Sequence, residues 1–329
     1  MTEIFATLGP ACADSRILDN MLFNGMTGIR LNLSHTTLRA ALPEVELVRA
    51  AAARHPVHLD LLLDMQGPEL RLGRMEPRDL VPGETVLLEE LPLPEIVPAG
   101  LEKGQLLLLD DGKIALTLVG GATDGLPARV DRGGRLTGRK SLALPGLDIR
   151  PPAVTAEDRE NLALAGAAGV SGIMQPFVRG PEDLREIRAA MEAAGCGALR
   201  LLAKIENQAG VEQLPELLPL ADMIVIARGD LGNAVPLWDL PGVQKDIAKQ
   251  CLAAGKPFMV VTQMLSSMET SPVPTRAEIS DIINAVLDGA SAVMLTGETA
   301  VGRYPAEAVG YLSRTARAAR VWRQARRPR

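Results

Sequence analysis

The sequence has few aromatic residues, few cysteines and no long apolar run, and each shortage excludes a class of protein. Aromatic residues make up 2% of the 329 residues, so nucleic-acid binding by stacking on aromatic rings is not expected. Cys12, Cys196 and Cys251 show neither metal-ligand spacing nor a disulfide framework, which indicates a reducing cytoplasm. No apolar stretch approaches the roughly 18 residues of a membrane span. No N-terminal apolar run is preceded by basic residues either, so neither a signal peptide nor a membrane span is expected.

The remaining composition is typical of a globular protein. Hydrophobic residues make up 47% of the chain and charged residues 23%. The net charge of −5 argues against a generally basic binding surface. No GxGxxG or GxxxxGK[ST] pattern follows the first predicted strand, so nucleotide binding through those loops is not indicated. The length allows one large domain or two ordinary ones.

Short apolar runs alternate with helical periodicity along most of the chain, which predicts parallel strands joined by helices. Eight β/α units are the signature of a (β/α)8 TIM barrel, and an open doubly wound sheet is the alternative. This interpretation places His58 inside the third strand and makes Thr275 with Glu278 a helix-capping box. The eight predicted strands are residues 4–7, 28–33, 57–63, 171–174, 199–205, 223–227, 258–261 and 292–295.

A segment rich in glycine and proline interrupts this rhythm after the third strand. Residues 73–144 contain short extended runs and no long helical period, which predicts a small all-β domain inserted into the barrel. The barrel would then consist of residues 1–72 and 145–329. Within the insertion, Asp110-Asp111-Gly112 looks like a hairpin turn.

Polar side chains concentrate at the carboxyl ends of the predicted strands, which meet on one face of a barrel. Glu206 and Asp230 follow strands five and six, and carboxylate oxygens suit Mg²⁺ or Mn²⁺. Arg30 and Lys204 can neutralise a phosphate or carboxylate of a substrate. The alternative for these charges is a set of surface salt bridges.

A second oxygen cluster follows strands two and three. Asn32, Ser34 and Asp64 could hold a monovalent cation, or they could form a hydrogen-bonded turn. The residue types alone leave both interpretations open.

Several segments resemble the pyruvate kinase family. They are, in chain order, IRLNLSH, LDMQGPELR, LDDGK, KIENQAGV, ARGDLG, GKPFMVVTQMLSSM, PTRAE and NAVLDGASAVMLTGETAVGRYPAEAV. The resemblance runs from residue 4 to about residue 310. It implies a barrel with an inserted lid domain at 73–144, and transfer of a phosphoryl group from phosphoenolpyruvate to ADP, which yields pyruvate and ATP.

The resemblance also implies roles for the residues at matching positions. Lys204 would stabilise the transferring phosphoryl group with help from Arg30, and Thr262 would lie near the face where the enolate takes its proton. Glu206 and Asp230 would bind Mg²⁺ or Mn²⁺. The residues expected to bind substrate are Arg30, Lys204, Gly229, Asp230 and Thr262, with Gly229 and Asp230 acting through their main-chain amides.

Two further ligands follow from the resemblance. K⁺ would be surrounded by Asn32, Ser34, Asp64 and the main-chain carbonyl of Met65. The sequence departs from the family at Met65 and Gln66, where threonine and lysine are usual. Glu69, which accompanies a K⁺ requirement, is retained. The residues expected near the nucleotide are Arg30, His35, Arg71, Asp111, Arg139 and Lys140.

The C-terminal segment differs most from the family. The chain stops where the family's C-terminal regulatory domain would begin, which predicts no effector control through that domain, together with an altered homo-oligomer. Arginines recur at every third position from Arg314 to Arg326, followed by Arg327 and Arg329. They form either a solvated last helix or a docking surface for an acidic partner or nucleic acid.

Two other functions remain compatible with the same residues. The metal and enolate site could serve another phosphoenolpyruvate, pyruvate or oxaloacetate reaction, such as a decarboxylation in an accessory pathway. The chain could also be a phosphoenolpyruvate-binding regulator that has lost turnover.

Overall fold

The computed structural model describes residues 2–97, 101–110, 112–147, 149 and 151–326. The chain divides into two compact units. The barrel unit consists of Met1–Gly67 and Ala153–Arg329, and the inserted unit is Pro68–Pro152. The inserted unit contains the segment 73–144 and extends beyond it at both ends.

The barrel unit opens with three strands and two helices. Asp14 caps the first helix, because its carboxylate accepts hydrogen bonds from the amides of Arg16 and Ile17. The prediction that His58 lies in a strand was wrong. Pairing of the second and third strands begins at Asp60, so His58 has no strand partner and is exposed. The elements are β1 (Glu3–Thr7), α1 (Ser15–Phe23), β2 (Gly28–Asn32), α2 (Leu42–Ala52) and β3 (Asp60–Asp64).

The inserted unit consists mainly of short antiparallel strands around a leucine-rich core of its own. Five strands form a sheet in the order β10-β6-β7-β8-β5, and β4 pairs with β9. The pair Leu109–Ile114 closes the hairpin at the predicted turn. The strands are β4 (Arg78–Leu80), β5 (Thr85–Leu87), β6 (Leu106–Leu109), β7 (Ile114–Leu118), β8 (Pro127–Arg132), β9 (Gly134–Leu136) and β10 (Leu142–Ala143).

The barrel unit then resumes its alternation of strands and helices. The predicted capping box is present, since Thr275 and Glu278 exchange hydrogen bonds at the start of α9. The elements are α3 (Ala156–Ala165), β11 (Gly172–Gln175), α4 (Pro181–Ala193), β12 (Arg200–Ile205), α5 (Gln208–Glu212), α6 (Leu214–Leu217), β13 (Met223–Ala227), α7 (Arg228–Ala234), α8 (Leu240–Ala253), β14 (Phe258–Val261), α9 (Arg276–Leu287), β15 (Ala292–Met294), α10 (Gly297–Ala300) and α11 (Pro305–Ala325).

Eight of these strands close into one barrel in the order β1-β15-β14-β13-β12-β11-β3-β2, and every neighbouring pair is parallel. The predicted (β/α)8 barrel is therefore confirmed, and the open sheet is excluded. Because parallel strands of a barrel share one direction, their carboxyl ends all reach the same rim.

Apolar side chains fill the inside of the barrel. The ring of Phe5 takes the space beside Gly28, where an added Cβ would lie 2.0 Å from the ring's Cε1 atom. A glycine is therefore required at this position for the interior to pack. The interior layer consists of Phe5, Leu62, Met174, Leu202, Met223, Val225, Ala227, Met259, Val261, Ala292 and Met294.

The seam between the first and last strands is fixed by buried hydroxyl groups. The Thr7 amide donates to Thr299 Oγ1 at 2.9 Å, and Thr299 Oγ1 donates back to the Thr7 carbonyl at 2.9 Å. Thr7 Oγ1 donates to the carbonyl of Leu295 at 2.9 Å. These bonds satisfy the polar groups at a place where any unpaired group would be costly.

The arginine-rich C-terminal segment is helical as far as Ala325. Arg314 lies over the ring of Tyr311, and Arg326 over that of Trp322, at 5.2 and 4.3 Å from the ring centroids. Arg327 and Arg329 lie outside the described residues, and a docking role for this segment stays a prediction. Across the described part of the chain, we find no helix with the length and apolar character needed to cross a bilayer.

Candidate active site

A layer of charged side chains lies directly above the apolar interior. Side chains alternate along a strand, so the residue two positions after an inward-facing one also faces inward. Arg30 follows Gly28 on β2, Asp64 follows Leu62 on β3, and Lys204 follows Leu202 on β12. The regular geometry of the strands therefore places three charges at the carboxyl-terminal rim.

These charges form a chain of ion pairs that runs from Arg30 through Asp64 and Lys204 to Glu206. Asp64 Oδ2 accepts from Arg30 Nε at 2.8 Å and lies 2.6 Å from Arg30 Nη2. Lys204 Nζ lies 3.0 Å from Asp64 Oδ2 and 3.0 Å from Glu206 Oε1. Arg30 Nη1 also donates to Thr7 Oγ1 at 3.2 Å, which ties the network to β1. We call Arg30, Asp64, Lys204 and Glu206 the charged half of the site.

Charge and burial act on the two carboxylates of this half with opposite results. Burial alone would raise the pKa of Asp64, but the adjacent Lys204 and Arg30 outweigh it and hold that pKa below its usual value. Burial raises the pKa of Glu206 to about 7, because Lys204 offsets only part of it and Asp230 and Asp64 add to it. For Lys204, the neighbouring carboxylates overcome burial and raise the pKa, so its ammonium group stays protonated.

Glu206 is held in place at both of its oxygens. Oε1 is paired with Lys204, and Oε2 accepts from the Phe177 amide at 2.7 Å. Phe177 has a positive φ of 50°, a left-handed conformation that residues other than glycine seldom adopt. The glutamate side chain is 1% exposed, so its orientation is fixed before any ligand arrives.

The carboxylates of Glu206 and Asp230 fit a hard divalent cation. They are close enough for the charge of Asp230 to raise the pKa of Glu206. No group of three histidine, cysteine or acidic side chains suited to a metal occurs among the residues that the structure describes. Two protein carboxylates leave coordination positions for water and substrate oxygens, which is the usual arrangement for Mg²⁺.

In the other half of the rim, most of the hydrogen bonds involve main-chain amides and carbonyls. Thr262 and Gln263 follow β14 with positive φ angles of 74° and 54°. Thr262 Oγ1 accepts from the Gly229 amide at 3.2 Å, at the start of α7. Arg228 donates to the Thr262 carbonyl from Nη2 at 2.7 Å and from Nε at 3.2 Å. We call Arg228, Gly229 and Thr262 the main-chain half of the site.

The predicted K⁺ ligands lie on the adjacent ends of β2 and β3. Asn32 and Asp64 are register partners, and Asn32 Oδ1 accepts from the Ser34 amide at 3.2 Å. Met65 is buried, and its amide donates to the Met174 carbonyl. The donor set is made of oxygens, as K⁺ requires, but both oxygens of Asp64 already contact Lys204.

The predicted nucleotide ligands outside the rim are mostly in the inserted unit. Arg71 is paired with Glu69 at 2.6 Å and donates to the Arg139 carbonyl at 2.9 Å. Lys140 is paired with Asp110 at 2.7 Å. Asp111 lies outside the described residues. His35 belongs to the barrel unit, follows β2 and is exposed.

Sequence reasoning missed several residues that support the site. The tie between Thr7 and Arg30 and the pair between Arg228 and Asp281 join positions 23 and 53 residues apart, so no local pattern reveals them. Glu298 follows the eighth barrel strand, and its contacts were not predicted. Its buried carboxylate accepts from the amides of Leu265 and Thr296.

Fold and site together define a class of protein: a (β/α)8 barrel whose rim carries fixed cations beside two carboxylates, which suits an anionic, metal-dependent substrate. The sequence matches the family profile described as "Pyruvate kinase, barrel domain" over residues 1–309. The chain belongs to the pyruvate kinase family, a family of phosphotransferases.

Curated relatives support this membership. The pyruvate kinase of Methylorubrum extorquens is 40% identical over 96% of this chain and 68% of its own length. Pyruvate kinase 1 of Trypanosoma brucei brucei is 37% identical over 95% and 66%, and the pyruvate kinase of Bacillus licheniformis is 36% identical over 94% and 55%. The chain therefore spans between 55% and 68% of the length of these three relatives.

Proposed function

We propose that the protein is a pyruvate kinase-like phosphotransferase that converts phosphoenolpyruvate and ADP into pyruvate and ATP. The observation that carries the proposal is the charged half, in which Lys204 is buried between Asp64 and Glu206 with Arg30 beside it. Two fixed cations at the rim can meet the phosphoryl group without reorganisation, and this preorganisation is the main source of catalysis in phosphoryl transfer.

Lys204 and Arg30 have distinct tasks in this proposal. Lys204 is a compact ammonium that donates to the transferring phosphoryl group, and its raised pKa keeps it charged through the reaction. Arg30 offers a planar fork, which suits a second contact with phosphoryl oxygens. Asp64 holds both cations in position while remaining ionised.

Glu206 and Asp230 would hold Mg²⁺ or Mn²⁺. The bound cation supplies neutralisation of negative charge on the enolate and phosphoryl oxygens. One carboxylate oxygen of Glu206 is paired with Lys204 and the other accepts from the Phe177 amide. These contacts fix the orientation of the carboxylate, which would offer a remaining lone pair to the metal. Loading the site would require Glu206 to release its proton, because its pKa is about 7.

The main-chain half would receive the carboxylate of the substrate. The amides of Gly229 and Asp230 stand at the start of α7, and the Thr262 hydroxyl lies beside them. Thr262 would face the enolate carbon that takes up a proton. Arg228 binds the Thr262 carbonyl, and the Thr262 hydroxyl oxygen accepts from the Gly229 amide, so both polar groups of this residue have defined partners.

Potassium and nucleotide binding complete the proposal. Asn32, Ser34, Asp64 and Met65 would surround K⁺ with oxygens. The inserted unit would act as a lid that excludes water, since water competes with ADP for the phosphoryl group. The residues proposed for the nucleotide are Arg30, His35, Arg71, Asp111, Arg139 and Lys140. A cytoplasmic homo-oligomer is part of the same proposal.

A lactate dehydrogenase-coupled assay with Mg²⁺, ADP and phosphoenolpyruvate, run with and without K⁺, tests the function. We expect ADP-dependent pyruvate formation that Lys204→Met abolishes. Equal rates in the wild type and Lys204→Met would contradict the proposal.

A parallel measurement separates phosphoryl transfer from other enolate chemistry. Exchange of the pyruvate methyl protons for deuterium reports enolisation alone. Exchange without ATP-linked turnover would assign the chain to a different enolate reaction. Calorimetric binding of phosphoenolpyruvate–Mg²⁺ without turnover or exchange would instead indicate a regulator.

A further inference from the structure

The guanidinium group of Arg228 is bound by other groups of the protein at all three of its nitrogen atoms. Nε and Nη2 both donate to the Thr262 carbonyl, and Nη1 lies 2.8 Å from the carboxylate of Asp281 on α9. Nη2 also contacts Met264 Sδ at 3.0 Å. The arginine side chain is 12% exposed, so these partners define its position.

The peptide that Arg228 holds is in an unfavourable conformation. Thr262 and Gln263 have consecutive positive φ angles, and neither is a glycine. A positive φ is especially unfavourable for a β-branched residue such as Thr262, because its Cβ substituents crowd the backbone. Such a conformation persists only where surrounding contacts hold it, and here those contacts include the two bonds from Arg228 to the Thr262 carbonyl and the bond from the Gly229 amide to Thr262 Oγ1.

Asp281 is the residue that fixes Arg228. Its carboxylate is the acidic partner of the guanidinium, and it stands on a helix whose start is anchored by the Thr275–Glu278 capping box. The fork geometry lets one arginine bind a carboxylate at one nitrogen and a carbonyl at the other two. Arg228 thus links the Thr262 carbonyl to a side chain 19 positions away that does not contact Thr262 in the described hydrogen bonds.

We propose that Asp281 is a positioning residue that acts through Arg228 to hold Thr262 in its catalytic conformation. This inference rests on the proposed function for its kinetic consequences. Its structural consequence, a change in the surroundings of Thr262, does not depend on any reaction. Asp281→Asn keeps the shape of the side chain and removes the charge that orients Arg228.

Nuclear magnetic resonance of threonine methyl groups gives the test that is independent of activity. The Thr262 signal is identified by its disappearance in Thr262→Ser. We expect that signal to shift or split in Asp281→Asn. The matched control is Asp60→Asn, which breaks another partly buried pair, Asp60–Arg200 at 2.6 Å, at the amino ends of β3 and β12. A Thr262 signal unmoved in Asp281→Asn overturns the inference.

Kinetics then separate positioning from simple stabilisation. We expect Asp281→Asn to lower kcat and pyruvate methyl exchange by about ten-fold, the scale set by one strained residue, with KM within about two-fold. In a Thr262→Ala background the same change should lower kcat less than about two-fold, because the group it positions is gone. Equal losses in both backgrounds contradict the inference.

Conservative replacements sharpen the result. Asp281→Glu keeps the carboxylate and should recover part of the lost kcat, whereas Arg228→Lys cannot bind the Thr262 carbonyl with two donors and should not. No recovery with Asp281→Glu, together with an unmoved Thr262 signal, rejects the role. If the wild type shows no turnover and no exchange, the proposed function fails while the methyl spectra still decide the positioning.

Discussion

The two halves of the barrel rim reach a fixed geometry by different means. In the charged half, side chains from β2, β3 and β12 fix one another through mutual ion pairs. In the main-chain half, a strained peptide after β14 is held by Arg228, which is itself held by Asp281 on α9. The charged half is therefore sensitive to the loss of a charge, and the main-chain half to small changes of shape.

The largest effect expected in the charged half comes from Lys204→Met. Removing the ammonium leaves Glu206 buried beside Asp64 without its cation, which should destabilise the fold by about 3 kcal/mol. Turnover should fall roughly a thousand-fold, because a preorganised cation is lost from the site. Urea unfolding and the coupled assay measure the two losses.

The control for this change is Lys245→Met, at the surface. Lys245 is paired with Asp288 at 2.8 Å, but its side chain is 57% exposed. Its loss should cost less than about 1 kcal/mol and leave turnover unchanged. If the two lysine variants lose similar stability, the charged half is not a buried network in solution.

The pKa of Glu206 predicts how pH acts on the charged half. Between pH 4.5 and about 7 the folded, metal-free protein keeps a proton on Glu206 that the unfolded chain has released. Stability should therefore fall as pH rises through this window, by about 3 kcal/mol at about 1.4 kcal/mol per pH unit. Urea midpoints from pH 5 to pH 7.5 measure this fall, and Mn²⁺ should reverse it.

Glu206→Gln isolates this contribution from those of other carboxyls. The stability of this variant should stay constant between pH 5 and pH 7.5. Addition of Mn²⁺ should not raise the stability of the variant, because one of the two proposed metal ligands is gone. A fall of the same size in Glu206→Gln would mean that another group titrates in this range.

A single methyl group tests the main-chain half. In Gly229→Ala the new Cβ would lie 3.1 Å from Thr262 Cγ2, which is tighter than an ordinary contact. Turnover should fall about ten-fold, while overpacking costs about 1 kcal/mol of stability. Steady-state kinetics and thermal unfolding separate the two effects.

Gly232→Ala provides the matched control in the same helix. Its Cβ would lie 3.4 Å from Leu240 Cδ2, an ordinary contact. Since alanine favours helix over glycine by about 0.5–1 kcal/mol, this variant should be neutral or slightly stabilised and fully active. Equal activity losses in both alanine variants would show that α7, rather than its contact with Thr262, is sensitive.

The smallest effect is expected at the helix that anchors Asp281. Glu278 accepts from the Ser267 and Thr275 amides and from Ser267 Oγ. Burial opposes ionisation, but these bonds lower the pKa of Glu278, so its stabilisation is present above pH 4.5 and lost as pH falls. Glu278→Gln should cost below about 1 kcal/mol at pH 7 in thermal unfolding, and less near pH 4. A larger loss at pH 4 contradicts this assignment.

The sequence predicted the barrel because its signal is local and repeated. Each strand is a short apolar run, and β13 and β14 have the predicted bounds. Strand ends were less accurate: β3 begins at Asp60 rather than residue 57, because its first pairing partner is set by β2. The strands β4, β9 and β10 of the inserted unit have two or three residues each, which is too few for an alternating pattern to identify them in the sequence.

The part of the site that could be predicted consists of charged residues at the carboxyl ends of the predicted strands. Lys204, Glu206 and Asp64 could be placed at the rim from their positions alone. Their pairing could not, because the sequence left Asp64 open as a cation ligand or as part of a hydrogen-bonded turn and did not predict its pairing with Lys204 and Arg30. The positive φ at Thr262 and the pair between Arg228 and Asp281 could not be predicted, because the pair joins residues 53 positions apart and no spacing in the sequence encodes it.

The seam formed by Thr7 and Thr299 has a consequence for folding. The two residues are 292 positions apart, and Arg30 is tied to the same Thr7. Contacts of such separation carry a high loop-closure entropy and form slowly. The charged half would thus be completed only when the ends of the barrel meet. Recovery of the ion-pair network after refolding would then lag behind formation of the individual strands and helices.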